Sequence, residues 1–161
     1  MFPRTGRHTG ERRYVREVPR LPRNLLPSQG IYHVTARGVA RGAIVLDDED
    51  RRLFLALLAQ TVRREGWDCH VFCLLTNHYH LIVATLLESL SRGLHRLNGV
   101  YAQAFNGRYA RSGHLFGDRF AAFVIRDEDH LRNACDYVRQ NPVRAGLCEE
   151  ASTWPWAGSR R

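Results

Sequence analysis

The chain has 161 residues, 24 of them basic and 16 acidic, for a formal net charge of +8; this is the size of one compact domain with its own core. No apolar run approaches the roughly 18 residues that a membrane helix needs, so no membrane partner is expected. The excess positive charge points to a polyanionic partner, because side chains that neutralise phosphates release counterions.

Residues 1–24 are rich in arginine, lack periodicity and contain Pro3, Pro19 and Pro22. They predict a basic flexible arm, either a solvated tail or a contact to DNA, ahead of a single domain over residues 25–161. The start has no apolar stretch of the secretory kind. With four cysteines (Cys69, Cys73, Cys135 and Cys148) that suits a reducing, cytoplasmic setting rather than a disulfide framework.

Residues 31–37 are rich in strand formers. Gly38 and Gly42 flank a turn, and residues 43–46 predict a second short strand. Asp47 or Asp48 caps a helix running to about Glu65, with Leu53, Phe54, Leu57, Leu58 and Thr61 on one face and Gly66 at its end. Residues 67–75 and 78–86, split by Thr76 and Asn77, read as a hairpin. A second amphipathic helix starts near Ser89 or Ser91. It carries Leu90, Leu94, Leu97, Tyr101 and Ala104 as its stripe and breaks at Asn106-Gly107. Residues 108–119 form an exposed basic loop and residues 120–125 a strand. A third helix starts at Asp127 or Asp129 and stops at Pro142, because the residue before proline avoids helical geometry. Trp154, Pro155 and Trp156 in the tail dock on the body. The order β, β, α, β, β, α, β, α predicts an α+β domain with a mainly antiparallel sheet and packed helices.

Two groups of residues can do chemistry. His78 and His80 sit at i and i+2 of a strand and face the same way, so two imidazoles can converge on one ion while Tyr79 points to the other face. The same spacing also fits two ordinary histidines. Asn133, Tyr137 and Asn141 recur every four residues and make one stripe along the third helix, beside the apolar stripe of Leu131, Ala134 and Val138. Tyr137 offers a phenolic oxygen and Asn141 a carbonyl oxygen one turn later; a packing tyrosine and a helix-ending asparagine are the plain alternative. All 24 basic residues are arginine, which suits bidentate phosphate contact or a GC-rich codon usage. Arg37, Arg41, Arg92, Arg96, Arg119 and Arg144 are candidate DNA contacts, with Tyr32, Tyr101, Tyr109 and Phe116 as stacking platforms. Cys69, Cys73, His78 and His80 offer a structural zinc set as a rival reading, at a spacing unlike that of the usual finger. The acidic clusters at residues 47–50 and 127–129 read as helix caps. No phosphate-binding glycine loop is present.

Taken together, four segments resemble the IS200-like single-tyrosine (Y1) transposases of the HUH superfamily, including their REP-associated branch. The segments are residues 30–38 (Gly30-Ile31-Tyr32-His33-Val34-Thr35-Ala36-Arg37-Gly38), residues 75–82 around Asn77-His78-Tyr79-His80, residues 113–120 around Phe116-Gly117-Asp118-Arg119, and residues 136–147 around Tyr137 and Asn141-Pro142. The resemblance spans residues 30–158. It implies a ferredoxin-like fold with His78 and His80 on a central strand. It further implies Tyr137 as the nucleophile, Asn141 as a third metal ligand, and Mg²⁺ or Mn²⁺ as cofactor. The implied activity is cleavage and rejoining of single-stranded, hairpin-bearing DNA through a 5′-phosphotyrosine, without ATP. The implied setting is cytoplasmic and nucleoid-associated, as a monomer or a homodimer. A non-catalytic, domesticated nucleic-acid binding module of the same fold is the alternative.

Overall fold

The computed structural model describes residues 23–117 and 119–159. The expected basic arm lies outside the described residues except for its last two positions. Five strands form one sheet: β1 (Gln29–Arg37), β2 (Asp68–Leu74), β3 (His78–Leu86), β4 (Ala121–Ile125) and β5 (Ala157–Ser159). Their order across the sheet is β4-β1-β3-β2-β5, and every neighbouring pair is antiparallel. Among the described residues three α-helices accompany the sheet: α1 (Asp48–Glu65), α2 (Leu87–Arg108) and α3 (Glu128–Arg144). The first four strands with α1 and α2 make the ferredoxin-like βαββαβ arrangement expected from the sequence. No described helix is long and apolar enough to cross a membrane.

Strand alternation divides the core in two. Tyr32, Val34, Ala36, Tyr79, Leu81 and Val83 face α1 and α2, where they meet Phe54, Leu58, Leu90, Leu94, Leu97 and Tyr101. Ile82, Val71 and Cys73 face the other way, onto Ala134, Cys135, Tyr137 and Val138 of α3. Each fully buried aliphatic side chain contributes about 1.5–3 kcal/mol, so both layers are held by apolar contact.

The caps behave as their residue types predict. The Asp47 carboxylate accepts from the Glu49 and Asp50 amides at 3.0 Å each, and the Asp127 carboxylate accepts from the His130 amide at 2.8 Å. Arg108, at the end of α2, reaches Asp47 and Asp50 at 2.7 Å and Glu49 at 2.6 Å, tying the two helices together. Trp154 donates to the Leu74 carbonyl at 3.0 Å, and the Leu74 amide donates to the Trp156 carbonyl at 2.9 Å, so the tail docks and supplies β5.

Several expectations change. Residues 43–46 form no strand. Ile44 and Val45 are fully buried, but their amides both turn to the Thr76 carbonyl, at 2.9 and 3.3 Å. An apolar run reports burial, not a partner strand. Helix α2 begins at Leu87, two residues before the first serine, because β3 runs straight into it and the Leu87 amide is held by Ser28. Ser91 instead bonds back to the Leu87 carbonyl. The helix also continues through Asn106 and Gly107, since Phe105 is buried and Arg108 is anchored; Ala104 and Leu53 face outward. Helix α3 passes through Pro142 to Arg144 and is closed by a turn at Gly146, whose φ of +70° is the left-handed value glycine favours. There the Leu147 amide bonds the Pro142 carbonyl at 2.9 Å and the Gly146 amide bonds the Val143 carbonyl at 3.0 Å. These two bonds fix the end that proline was expected to supply.

Candidate active site

Four ring-bearing residues meet on the α3 side of the sheet, with Asn141 one helical turn beyond one of them, and all five are buried. Relative exposure is 8% for His78, 6% for His80, 3% for His33, 5% for Tyr137 and 3% for Asn141. A buried polar group without a partner costs about 1–3 kcal/mol, so the partners matter.

His78 opens β3. Its Nδ1 lies 2.7 Å from Asn77 Oδ1, and the Asn77 Nδ2 donates to the Arg41 carbonyl at 3.1 Å. That second bond fixes which way the amide points. The atom facing His78 is therefore an acceptor, Nδ1 of His78 carries the hydrogen, and Nε2 keeps its lone pair. His80 follows two residues later on the same face, its ring centroid 5.0 Å from that of His78. His80 Nδ1 lies 2.9 Å from His33 Nε2 on β1. The Tyr137 ring meets His80 edge to face at 5.8 Å and His33 at 6.0 Å. Across the strands, His80 is paired with Thr35 and Cys73, and His78 with Arg37.

The electrostatics follow from burial. Desolvation pushes the His78 and His33 imidazoles down to about 4; the Arg37 charge adds to the effect at His78, and His130 adds to it at His33. His80 is held well below its ordinary value by burial, then by His33, His78 and Arg37. Near neutral pH these rings are neutral, the state in which an imidazole can bind an ion. The residues present fit a divalent metal: two neutral imidazoles on a rigid central strand, each steadied through Nδ1 by a neighbouring side chain. Asn141 lies one turn beyond Tyr137 and donates through Nδ2 to the Tyr137 carbonyl at 2.9 Å. With Nδ2 so engaged, Oδ1 is the atom with which Asn141 could ligate an ion.

The predicted arginines separate. Arg37 ends β1 beside His78, and the Arg144 guanidinium lies 4.7 Å from the centre of the Tyr137 ring. Arg92 and Arg119 line a groove on the α2 side, with His95, Asn98, Phe116 and Phe120. Arg92 is also engaged by Glu65 at 2.6 Å. Arg41 and Arg96 are exposed, and Arg41 serves the site through its carbonyl. Tyr32 and Tyr101 cannot act as stacking platforms, being fully buried; the Tyr101 hydroxyl donates to the Ile44 carbonyl at 2.6 Å. Asn133 is exposed and takes no part.

The zinc set does not form. Cys69 lies opposite Val83 on one face of the sheet and Cys73 opposite His80 on the other, because a bulge intervenes between Cys69 and Val71. Among the described residues no three His, Cys, Asp or Glu side chains are placed to hold a metal ion together. Burial raises the Cys69 thiol to about 11 and the Cys73 thiol to about 12, so both are neutral, packed side chains near neutral pH. His33 belongs to the first sequence motif, yet the motif alone assigns it no role. The available signal is its alternation: it lies on the opposite side of β1 from Tyr32 and Val34, in a position that a packed sheet would fill with an apolar residue.

This fold is that of a tyrosine transposase. A solved REP-associated tyrosine transposase bound to a REP hairpin superposes with a TM-score of 0.67, covering 81% of this chain and 77% of that one at 19% identity. The chain belongs to the IS200-like transposase family, whose sequence profile matches residues 27–141 and so takes in His78, His80, Tyr137 and Asn141. A Haemophilus influenzae protein assigned to the REP-associated tyrosine transposases is 28% identical over 120 residues, 67% of this chain and 68% of its own length.

Proposed function

We propose that this transposase cleaves and rejoins single-stranded DNA beside a hairpin, with Tyr137 as nucleophile and His78, His80 and Asn141 as ligands of Mg²⁺ or Mn²⁺. The observation that carries the reading is the meeting of the His78–His80 pair with Tyr137 across the interface between β3 and α3, 5.8 Å between the His80 and Tyr137 rings. The bound ion supplies Lewis-acid stabilisation of the charge that develops on a non-bridging phosphate oxygen. Soft imidazoles alone would suit zinc or manganese; the amide oxygen of Asn141 and a substrate phosphate shift the set towards harder ions.

The protein's own groups do the rest. The Arg144 guanidinium lies over the Tyr137 ring, so a positive charge stands beside the nucleophile where the phosphate arrives. Arg37, beside His78, draws the phosphate towards the imidazole pair. The phenolic oxygen of Tyr137 attacks phosphorus, the bond to the 3′ oxygen breaks, and that oxygen leaves as a 3′-hydroxyl after taking a proton. The strand remains joined as a 5′-phosphotyrosine. The phosphodiester energy is kept in that bond, so a later 3′-hydroxyl can attack it and release the tyrosine. A hairpin is the proposed neighbour of the cut, in keeping with the hairpin bound by the structural relative. Arg41, Arg92, Arg96 and Arg119 are assigned to the flanking DNA.

The test is a denaturing gel. A single-stranded hairpin oligonucleotide, labelled downstream of the cut, should give a covalent adduct in Mn²⁺ with the wild-type chain and none with Tyr137→Phe. An adduct that survives Tyr137→Phe removes Tyr137 as the nucleophile. A hairpin that is bound but never cut makes the chain a binding module.

A further inference from the structure

We propose that His33 is a positioning residue: it accepts the Nδ1 hydrogen of His80 and so directs the His80 Nε2 lone pair to the metal. This rests on the proposed metal site of His78, His80 and Asn141. The geometry is specific. On the shared face of the sheet, β1 places Thr35 directly opposite His80 and His33 opposite Ile82. His33 is thus a diagonal neighbour of His80, within reach of its ring. The contact made is Nε2 of His33 to Nδ1 of His80, 2.9 Å, between two side chains that are 3% and 6% exposed.

One hydrogen lies between those two nitrogens, and two arrangements are open. In the first, His80 Nδ1 donates, His33 Nε2 accepts, and His80 Nε2 presents a lone pair. In the second, His33 donates, and the hydrogen of His80 moves to Nε2, where it blocks an ion. Only the first makes His80 a ligand in the same sense as His78, whose Nδ1 hydrogen is held by the Asn77 side-chain oxygen Oδ1 at 2.7 Å. His33 does for His80 what Asn77 does for His78. The contact also explains why three clustered histidines supply two ligands: the Nε2 of His33 is spent on His80. Partners of this kind, behind a ligating imidazole, change metal affinity by roughly 10–100-fold.

Two measurements on the full chain test this. In the metal-free ¹⁵N-labelled protein, long-range ¹H–¹⁵N correlations should show His80 protonated at Nδ1 and bare at Nε2. The opposite tautomer in the wild type overturns the proposal, whatever any variant does. Mn²⁺ affinity, read by electron paramagnetic resonance without DNA, should fall about 10–100-fold in His33→Phe, which keeps a ring and loses the acceptor. It should recover most of that loss in His33→Gln, which offers an amide oxygen. Unchanged affinity in His33→Phe, or no recovery in a folded His33→Gln, sinks the role of His33. If instead wild-type Mn²⁺ affinity is indifferent to His78→Ala, the metal reading has failed, and the tautomer still reports on the His33–His80 bond by itself.

Discussion

The two faces of the sheet are built from the same strands and are both buried in apolar contacts, yet only one of them gathers a cluster of imidazoles. On the α1 and α2 side, Tyr79 packs on Phe54 at 4.9 Å, and Phe54 on Tyr101 at 5.1 Å. The polar atoms there are paired too, as when the Tyr79 hydroxyl donates to Asn98 at 2.8 Å and the buried Asp50 carboxylate binds Arg108 at 2.7 Å. On the α3 side, the intervening positions of β1 and β3 carry His33, His78 and His80 against Tyr137 and Asn141. Burial stabilises the domain on the first face. On the second it strips water from imidazoles and a phenol, and the neighbouring apolar contacts of Ala134 and Val138 offset the cost. A reactive site can therefore be placed inside a core when each polar group is given a partner.

That division can be broken or sharpened by experiment. The largest effect should come from a chelator: cleavage in the adduct assay is lost outright, while the circular dichroism and melting temperature of the metal-free chain stay put. Unfolding on chelation would reinstate a structural metal. Next come adjacent positions of β3. His80→Ala should slow single-turnover cleavage by about a hundredfold or more, as expected when a ligand to a Lewis acid is removed, with a melting loss of only a few degrees. Leu81→Ala, one residue on and facing α1 and α2, should cost about 2–5 kcal/mol, or roughly ten degrees of melting, and leave Mn²⁺ affinity unchanged. Equal damage to metal binding from both would show that the faces are not separate. Arg144→Ala should lower the cleavage rate several-fold, in line with about 0.5–1 kcal/mol for an exposed cation over a ring, without weakening hairpin binding to the same degree. The smallest effect is expected from Gly146→Ala, where the positive φ costs about 1 kcal/mol and two to four degrees, with the cleavage rate intact.

Much of the fold and the candidate site is legible in the sequence, for identifiable reasons. Strand alternation places His78 and His80 together and Tyr79 opposite, because a period of two admits no other outcome once the strand is granted. Capping aspartates locate the starts of α1 and α3, since their side chains have one strong use there. Apolar runs mislead at residues 43–46, where Ile44 and Val45 plug the core from a loop. Breaker residues mislead at Gly107 and Pro142, where Phe105, Arg108 and the glycine-ended turn outweigh local preference. Stacking fails at Tyr32 and Tyr101 because composition does not say which rings are buried. The positioning role proposed for His33 is invisible in the sequence because it depends on a diagonal contact between β1 and β3, residues that are 47 apart in the chain.

The turn at residues 75–77 is fastened from several sides. The Leu75 amide bonds the His78 carbonyl at 2.9 Å, Ile44 and Val45 bond Thr76, and Gly38 bonds the Asn77 carbonyl at 2.9 Å. It is the ruler from which β3 is counted. One residue gained or lost there would exchange the two sides of the strand, sending imidazoles among the rings of Phe54 and Tyr101 and swinging Tyr79 towards Tyr137. A lineage carrying this domain can therefore trade letters along β3 one at a time, losing stability or chemistry separately. It cannot change the length of that turn without forfeiting both at once.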